Sequence, residues 1–466
     1  MNKGIQEVEE KYKDKGFVLA RVADIKEDPP GTVTLTVAEG KIHKITYSGN
    51  HKTKDYVIRR AMAQKEDEVY NEKTVEEDMK RIFSLQIFSD VRRVIKASPA
   101  ADGEYDLVIE VDEKKTGAIS LGGGVDTGTG LFGSLGYSEP NFLGRGQNFS
   151  SIFSVGTGVI GSNQNTVSRG VFQFQTSWST PSVAETLNSL DASIYARELA
   201  SFNVPLAVER RIGGSIGWGR PIESIPGVTV AADLGFENTH LSEGDNLTDL
   251  ATRGVSPLER KRELKDGSYV TLGPNMTYDS RDNRFNPSQG WLISVAPKYA
   301  LSVSSVDSYG TISANLRRYL KVTKDVTFAL NGQGGITPVG TVPLFNMYRL
   351  GGSYTVRGFQ EGGIGIGDAY LLGSAEIRSK LPFLKRFTKF PLYDMVAVAL
   401  FMDAGQVYNE DRADNFFDRV GYGASVGGGI RVNLPAVGPL RVDYAWPLTT
   451  TKGLTQHLNF GVGQKF

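Results

Sequence analysis

The feature that most constrains this chain is a series of short alternating segments that begins near residue 116. About sixteen of them have the length of a strand, with apolar residues at every second position. In VAVALFMDAG, Leu400 and Met402 share one face, whereas Phe401 and Asp403 share the other. Sixteen strands fall within the range of outer-membrane β-barrels, although the strands of a soluble sandwich also alternate.

Two further observations favour the membrane barrel. The apolar faces end repeatedly in aromatic residues, which suits a belt at the membrane interface. The opposite faces carry polar residues or glycine, which a wet lumen permits and a dry core does not. The aromatic residues are Tyr278, Trp291, Tyr299, Tyr444 and Trp446. We therefore predict a membrane all-β fold, an antiparallel transmembrane β-barrel of about sixteen strands, preceded by α+β domains.

The first 115 residues are more charged and helix-capable. Residues 39–115 read as strand, helix, helix, strand, strand, with Thr74 and Glu77 as a capping box for the second helix. Residues 1–38 repeat only the later part of this order, so we expect the chain to start inside a domain. The charged N-terminus MNKGIQEVEEKYKDKG has no apolar core, so no signal peptide is expected.

Composition excludes several classes of function. Lys+Arg and Asp+Glu both total 52, so the chain has no excess of positive charge that would indicate a nucleic-acid partner. The chain has no cysteine and only four histidines, and it lacks the HExxH and GxSxG patterns. We expect no enzyme activity, no cofactor and no metal site.

One glycine-rich stretch, RLGGSYTVRGFQEGGIGIGD at 349–368, is too long for a hairpin turn. Loops of this length in a compact domain are usually functional or disordered. VRGF at 356–359, GYSEPNFLGRGQ at 136–147 and YDSRDNRFNPSQG at 278–290 together resemble the BamA-type outer-membrane protein assembly family. Its members join periplasmic POTRA domains to a sixteen-stranded barrel. The resemblance implies the C-terminal part of one POTRA domain at 1–38, a complete one at 39–115, and a barrel at 116–466 with the VRGF loop at about 335–368.

The resemblance also implies a contact between the loop and the inner barrel wall. In the family the loop folds back into the lumen, where its arginine meets an aromatic ring and two carboxylates. The alternation independently places the matching residues on inward faces, and an arginine fork can bind a carboxylate while its plane stacks on a ring. The alternative is a solvated surface ion pair. The predicted latch comprises Arg357, Gly358, Phe359, Glu376, Phe401 and Asp403.

The two ends of the barrel sequence form a second candidate site. The first strand, at about 117–125, and the last, at about 457–466, are rich in glycine, so we expect a weak lateral seam that can open. The seam residues are Ser120, Gly122, Gly123, Gly124, Asn459, Gly461 and Gly463. Phe460 and Phe466 look like the C-terminal assembly signal of outer-membrane proteins.

These features predict an outer-membrane insertase that captures client strands with POTRA domains and templates them at the seam. The expected partners are unfolded β-barrel proteins, the lipid bilayer and accessory lipoproteins or periplasmic chaperones, with the N-terminal part in the periplasm. Alternatives within the superfamily are a TamA-type factor and a two-partner secretion translocator. From other classes, a passive channel and a soluble β protein remain.

Overall fold

The structure is a computed structural model of the 466-residue chain. It describes residues 2–27, 29, 31–100, 103–126, 130–157, 171–201, 203–204, 206–244, 261, 263–284, 286–381, 395–408, 421–434, 438–449, 455–462 and 465. The chain forms two compact units. One contains residues 1–118 with the segments 137–150 and 178–186, and the other contains the rest.

The first unit is an α+β unit. It contains α1 (Asn2–Asp14), β1 (Arg21–Glu27), β2 (Val33–Ala38), β3 (Lys41–Ser48), α2 (Asp55–Arg59), α3 (Glu72–Ser84), β4 (Phe88–Ala97) and β5 (Glu104–Glu113). Strands β1 and β2 pair with each other, while β5 lies between a parallel β3 and an antiparallel β4. The fully buried core includes Ile42, Val57, Val75, Ile82 and Leu107. From β3 onward the order is the predicted strand, helix, helix, strand, strand.

The start of helix α3 differs from the sequence prediction. It begins at Glu72, and the side chain of Asn71 accepts hydrogen bonds from the backbone N–H groups of Lys73 and Thr74 at 3.0 and 3.3 Å. The proposed capping box at Thr74 and Glu77 is therefore wrong. An asparagine cap is as favourable as a serine or threonine cap, and it starts the helix earlier.

The same unit includes two hairpin turns, within 137–150 and 178–186. The Asn141 side chain donates to Thr53 Oγ1 at 2.9 Å, and the backbone N–H of Lys54 donates to Gly144 O at 2.9 Å. Arg59 binds both carboxylate oxygens of Glu185. These polar contacts hold α2 and the residues just before it against the turns.

The remaining strands form one sixteen-stranded sheet, which confirms the predicted fold class. They are β6 (Ala118–Asp126), β7 (Gly130–Phe142), β8 (Gln147–Gly156), β9 (Val171–Thr180), β10 (Ser189–Ala200), β11 (Ala207–Pro221), β12 (Val228–Glu243), β13 (Gly267–Asp279), β14 (Gly290–Ser302), β15 (Tyr309–Lys321), β16 (Val326–Gly340), β20 (Ala369–Lys380), β21 (Val396–Tyr408), β22 (Tyr422–Leu434), β23 (Gly438–Pro447) and β25 (Leu458–Val462). Between β16 and β20 lie the short helix η1 (Leu344–Asn346) and the short strands β17 (Tyr348–Leu350), β18 (Gly358–Phe359) and β19 (Gly365–Gly367). A further short strand, β24 (Thr455–Gln456), precedes β25.

Neighbours along the chain pair in the sheet, whose end strands are β6 and β25. The two faces differ as the alternation predicts: Leu234, Leu371 and Leu400 are exposed, whereas Asp403 and Asp443 are buried. An apolar outer face with a polar inner face is typical of a membrane barrel. Within the described ranges, no helix has both the length and the apolar character needed to cross a membrane.

Candidate functional site

The long loop folds into a compact hairpin of its own. It begins at residue 341, later than the predicted 335, because β16 continues to pair with β15 as far as Gly340. Strands β17 and β19 pair antiparallel, and Gly351, Gly352 and Gly358 have positive φ values that only glycine adopts without strain. The loop residues Leu350, Val356, Phe359 and Ile364 form a fully buried cluster with Leu372 and Val407 of the barrel wall. The loop therefore packs on the inner face of the sheet.

Arg357 lies fully buried against three carboxylates of that face. Its Nε and Nη2 atoms donate to the two oxygens of Asp403 at 2.8 and 3.0 Å, a bidentate contact. Its Nη1 donates to Glu376 Oε2 at 2.8 Å and lies 3.4 Å from Asp443 Oδ2. The backbone N–H of Arg357 adds a hydrogen bond to Asp403 Oδ2 at 3.2 Å. The side chain thus bridges β20, β21 and β23.

The predicted aromatic partner is also in contact. The Arg357 Cζ atom lies 3.3 Å from the centroid of the Phe401 ring. A guanidinium over an aromatic face gains a cation–π attraction, which is stronger where water is excluded. The structure thus brings together Arg357, Glu376, Phe401 and Asp403, with Gly358 and Phe359 beside them.

Sequence reasoning missed several members of this cluster. Asp443 is the third carboxylate, and it accepts from Arg431 Nη1 at 2.5 Å and lies 3.5 Å from Arg441 Nη1. Glu376 also accepts from Arg378 Nε at 2.7 Å and Arg431 Nη2 at 3.2 Å. Arg441 and Asp443 flank Val442 in an alternating segment, so an inventory of inward charges would have found them.

The cluster also includes Lys465, which lies three residues beyond β25. Its Nζ is 2.7 Å from Asp403 Oδ1 and donates to Ser374 Oγ at 3.1 Å. Three carboxylates therefore face five cations, all of them buried. The cations are Arg357, Arg378, Arg431, Arg441 and Lys465.

A second set of contacts holds the base of the loop, and sequence reasoning missed it entirely. Asn203, in the segment between β10 and β11, donates from Nδ2 to the carbonyl oxygens of Leu344 and Met347, both at 2.9 Å. Arg211 on β11 donates to Phe345 O at 2.7 Å and to Asn346 Oδ1 at 2.8 Å. Helix η1 is thus fastened to a part of the wall that six strands separate from β21.

The predicted seam residues that the structure describes lie on the two end strands. Ser120, Gly122 and Gly123 are exposed, and so are Ile119 at 75% and Leu121 at 84%. Strand β25 is described over Leu458–Val462, whereas the prediction was 457–466. His457 lies outside the strand, and Lys465 contacts Asp403 in the ionic cluster.

The individual seam glycines differ in their surroundings. Gly124 is half-buried, while Asn459 and Gly461 are buried on the inner face. A Cβ at Gly461 would lie 2.8 Å from Arg441 Nη2, so Arg441 occupies the space that a side chain would need. Phe460 is half-buried and pairs with Val442. Gly463 and Phe466 lie outside the described residues.

Among the described residues, no group of three or more His, Cys, Asp or Glu side chains is arranged to hold a metal ion. The inward carboxylates instead bind arginine and lysine. The chemistry that this arrangement supports is therefore ionic docking of the loop on the barrel wall.

Comparison with known proteins gives two family matches. Residues 141–466 match the model described as the Omp85 superfamily domain, and residues 41–114 match a POTRA model described as a surface antigen variable number repeat. Outer envelope protein 80 of Arabidopsis thaliana chloroplasts is 25% identical over 97% of this chain. The outer membrane protein assembly factor BamA of Neorickettsia risticii is also 25% identical over 97% of it. The chain spans 60% of the length of each of these relatives.

Solved structures show the same fold. A crystal structure of BamA from Haemophilus ducreyi lacking POTRA domains 1–3 superposes with a TM-score of 0.72 at 21% identity, covering 99% of this chain and 93% of that one. CdiB from Acinetobacter baumannii has a TM-score of 0.58 at 16% identity, covering 98% of this chain and 79% of that one.

Proposed function

We propose that this chain, which belongs to the Omp85 superfamily, inserts β-barrel proteins into the outer membrane without enzymatic chemistry. The chain is an outer-membrane β-barrel whose N-terminal POTRA part lies in the periplasm. Insertion of a barrel into a bilayer is downhill, so the protein needs only to lower a kinetic barrier. The proposed clients are unfolded β-barrel proteins, as the name of the BamA relative suggests.

The observation that carries this proposal is the position of β6 and β25 at the two ends of the sixteen-stranded sheet. In the described part of the chain these strands are Ala118–Asp126 and Leu458–Val462. The apolar side chains of Ile119 and Leu121 on β6 are largely exposed. An edge with unpaired backbone groups is a template for another strand, so a client strand can add at β6.

The POTRA part supplies a second route for capture. In its sheet β5 is central, so β3 and β4 are the edge strands. A client segment in extended conformation can add to one of these edges by β-augmentation before it reaches the barrel. Accessory lipoproteins or periplasmic chaperones are proposed partners of the same part, because a strand held in the periplasm must be delivered unfolded.

A translocator is the second candidate, and the fold it shares with CdiB favours it. A two-partner secretion protein exports its partner through the lumen, whereas an insertase releases its client sideways into lipid. A TamA-type assembly factor is a third possibility in the same superfamily. The route taken by the client separates the translocator from the insertase.

The experiment is reconstitution into liposomes with an unfolded barrel client, scored by the heat-modifiability of the client. The chain has no native cysteine, so engineered disulfides can lock the seam. Suitable pairs are Ser120→Cys with Asn459→Cys on the inner face and Leu121→Cys with Leu458→Cys on the outer face. Gly461→Cys is a poor choice because Arg441 fills that position. Oxidation should stop insertion, and reduction should restore it.

The matched control is Val295→Cys with Ala314→Cys, which locks the directly opposed pair of β14 and β15. This disulfide should leave insertion unchanged. Full insertion with the seam quantitatively crosslinked would refute lateral opening and favour membrane thinning. Export of a client into the liposome lumen, without its insertion, would favour the translocator.

A further inference from the structure

The strand that closes the sheet is attached to the long loop on its N-terminal side. Directly before β25, Thr455 and Gln456 form β24, which pairs antiparallel with β18 of the loop. Gln456 lies opposite Gly358, and Thr455 lies opposite Phe359. These two loop residues follow Arg357 immediately, so the backbone that carries the buried arginine also holds the entry to β25.

Glycine at position 358 makes this approach possible. Its φ of +93° is in the left-handed region. A Cβ there would lie 3.3 Å from Ala445 Cβ and 3.4 Å from Ser425 Cβ, which is a tight contact with the barrel wall. The loop tip is thus pressed against β22 and β23, the strands next to β25 in the sheet.

The other side of β25 is attached to the same cluster by Lys465. Asp403 Oδ1 accepts from Arg357 Nη2 at 3.0 Å and lies 2.7 Å from Lys465 Nζ. One buried carboxylate therefore receives both the loop arginine and a lysine from beyond the closing strand. The two sides of β25 converge on one place on the wall.

We propose that the docked loop tip holds the closing strand in place, so that withdrawal of Arg357 releases β25. Lys465 acts as a positioning residue that keeps the far side of β25 on Asp403. The two attachments are unequal. When Lys465 is removed, Asp403 still has its bidentate contact with Arg357, so the loop stays docked. When Arg357 is removed, the β18–β24 pairing loses its support and the strand loosens.

This inference deepens the proposed function, because it makes the loop the element that controls the seam. The mechanism is a coupling between two docking equilibria, which by linkage must act in both directions. Local opening of a strand is measured by amide hydrogen exchange. The test therefore uses the purified full chain in lipid nanodiscs without any client.

Three variants separate the attachments. Arg357→Ala should raise exchange in residues 455–462 about tenfold, within the usual range of coupling between sites. Lys465→Met should raise exchange in 458–462 more than in the loop residues 353–361, because the loop keeps its bidentate contact with Asp403. Arg378→Met is the control, because it also removes a buried cation from a latch carboxylate but lies on β20, bound to Glu376. It should affect 455–462 less than Arg357→Ala does.

A fourth variant tests whether loosening the closing strand also loosens the loop. It also replaces Arg357→Ala as the test if that variant fails to form a heat-modifiable barrel. Gln456→Pro removes a backbone N–H of β24 and fixes the φ angle there, so it should disturb the pairing with β18 and raise exchange in 353–361. If Arg357→Ala opens the loop while 455–462 exchange as in the wild type, or if Gln456→Pro leaves the loop unchanged, the coupling is refuted. Because no client is present, that result is independent of the insertion assay.

Discussion

At the scale of single residues, the contacts of Arg357 decide how the loop responds to substitution. The arginine reaches three carboxylates on three strands and stacks on Phe401. Lysine carries the same charge but has neither the fork nor the plane. A substituted chain does not leave every carboxylate bare, because Lys465 still lies against Asp403 and Arg378 still donates to Glu376.

We therefore expect Arg357→Ala and Arg357→Lys to loosen the loop and impair client assembly while the barrel still forms. The loss of stability should lie toward the lower end of the roughly 3–5 kcal/mol typical of breaking a buried pair. The measurement is the urea concentration at which half of the protein has lost the heat-modifiable mobility of the folded barrel. The control is Arg349→Ala in the same loop, whose exposed ion pair with Glu361 should contribute about 1 kcal/mol or less. Equal midpoints for the two alanine variants would contradict the assigned role.

Glu113 at the end of β5 gives a pH-dependent prediction in the POTRA part. Its carboxylate accepts from the backbone N–H groups of Lys52 at 2.9 Å and Thr53 at 2.5 Å. Burial raises the pKa of Glu113, but the hydrogen bonds from Thr53 and Lys52 outweigh it and hold the pKa below its ordinary value. A lowered pKa in the folded state means that the stabilisation is complete above the ordinary pKa and is lost as pH falls through the folded value.

Hydrogen exchange in residues 49–54, corrected for intrinsic rates, should show this loss on acidification. Glu113→Gln should reduce protection at neutral pH and remove most of the pH dependence. A wild-type profile that stays flat as the pH falls from neutral through the lowered pKa of Glu113 would refute the assignment.

At the scale of elements, helix η1 is the part of the loop held away from the latch. Asn203 acts there as a donor to two carbonyl groups, so an isosteric carboxylate would face two acceptors with no proton to give. We expect Asn203→Asp to detach η1, with a loss of about 1–3 kcal/mol in local stability. The measurement is limited proteolysis of residues 341–350.

The matched control for that substitution is Asn315→Asp on β15. Asn315 accepts from Arg317 Nε at 3.1 Å, and a carboxylate can keep that role. Proteolysis of the loop should therefore stay at the wild-type rate. Protection of 341–350 in Asn203→Asp would show that Arg211 alone fastens the helix.

The strands of the sheet were largely predictable from sequence, because alternation is a local signal and one buried face enforces it. The sequence predictions failed where a contact with a distant part of the chain decides the local structure. The resemblance implied that the loop starts at about residue 335, yet the ladder with β15 carries β16 to Gly340. The Asn203 contacts span 141 and 144 residues, and no spacing rule links one asparagine to carbonyl groups so far along the chain. Gly461 was interpreted as weak packing, whereas Arg441 fills the space beside it.

At the scale of the whole molecule, Phe466 remains a prediction from sequence alone. If it points to lipid, Phe466→Ala removes about 1.5–3 kcal/mol of apolar burial. The protein should then insert several-fold less well, with its strand content unchanged. The measurement is the amount of heat-modifiable barrel in the outer membrane. The control is Phe83→Ala, which changes a phenylalanine that is 54% exposed on α3. Wild-type levels for Phe466→Ala would refute the assembly signal.

The loop, most of whose residues are buried, also sets the electrical behaviour of the molecule. Residues from Leu350 to Ile366 occupy space on the inner face, and the guanidinium of Arg357 sits among them with no exposed surface. An ion that reaches this part of the inner face meets packed side chains and a cluster of five buried cations and three carboxylates. In a planar bilayer the wild-type protein should therefore pass little current and resist cations more than anions, with rare openings that report the moments when the loop leaves the wall.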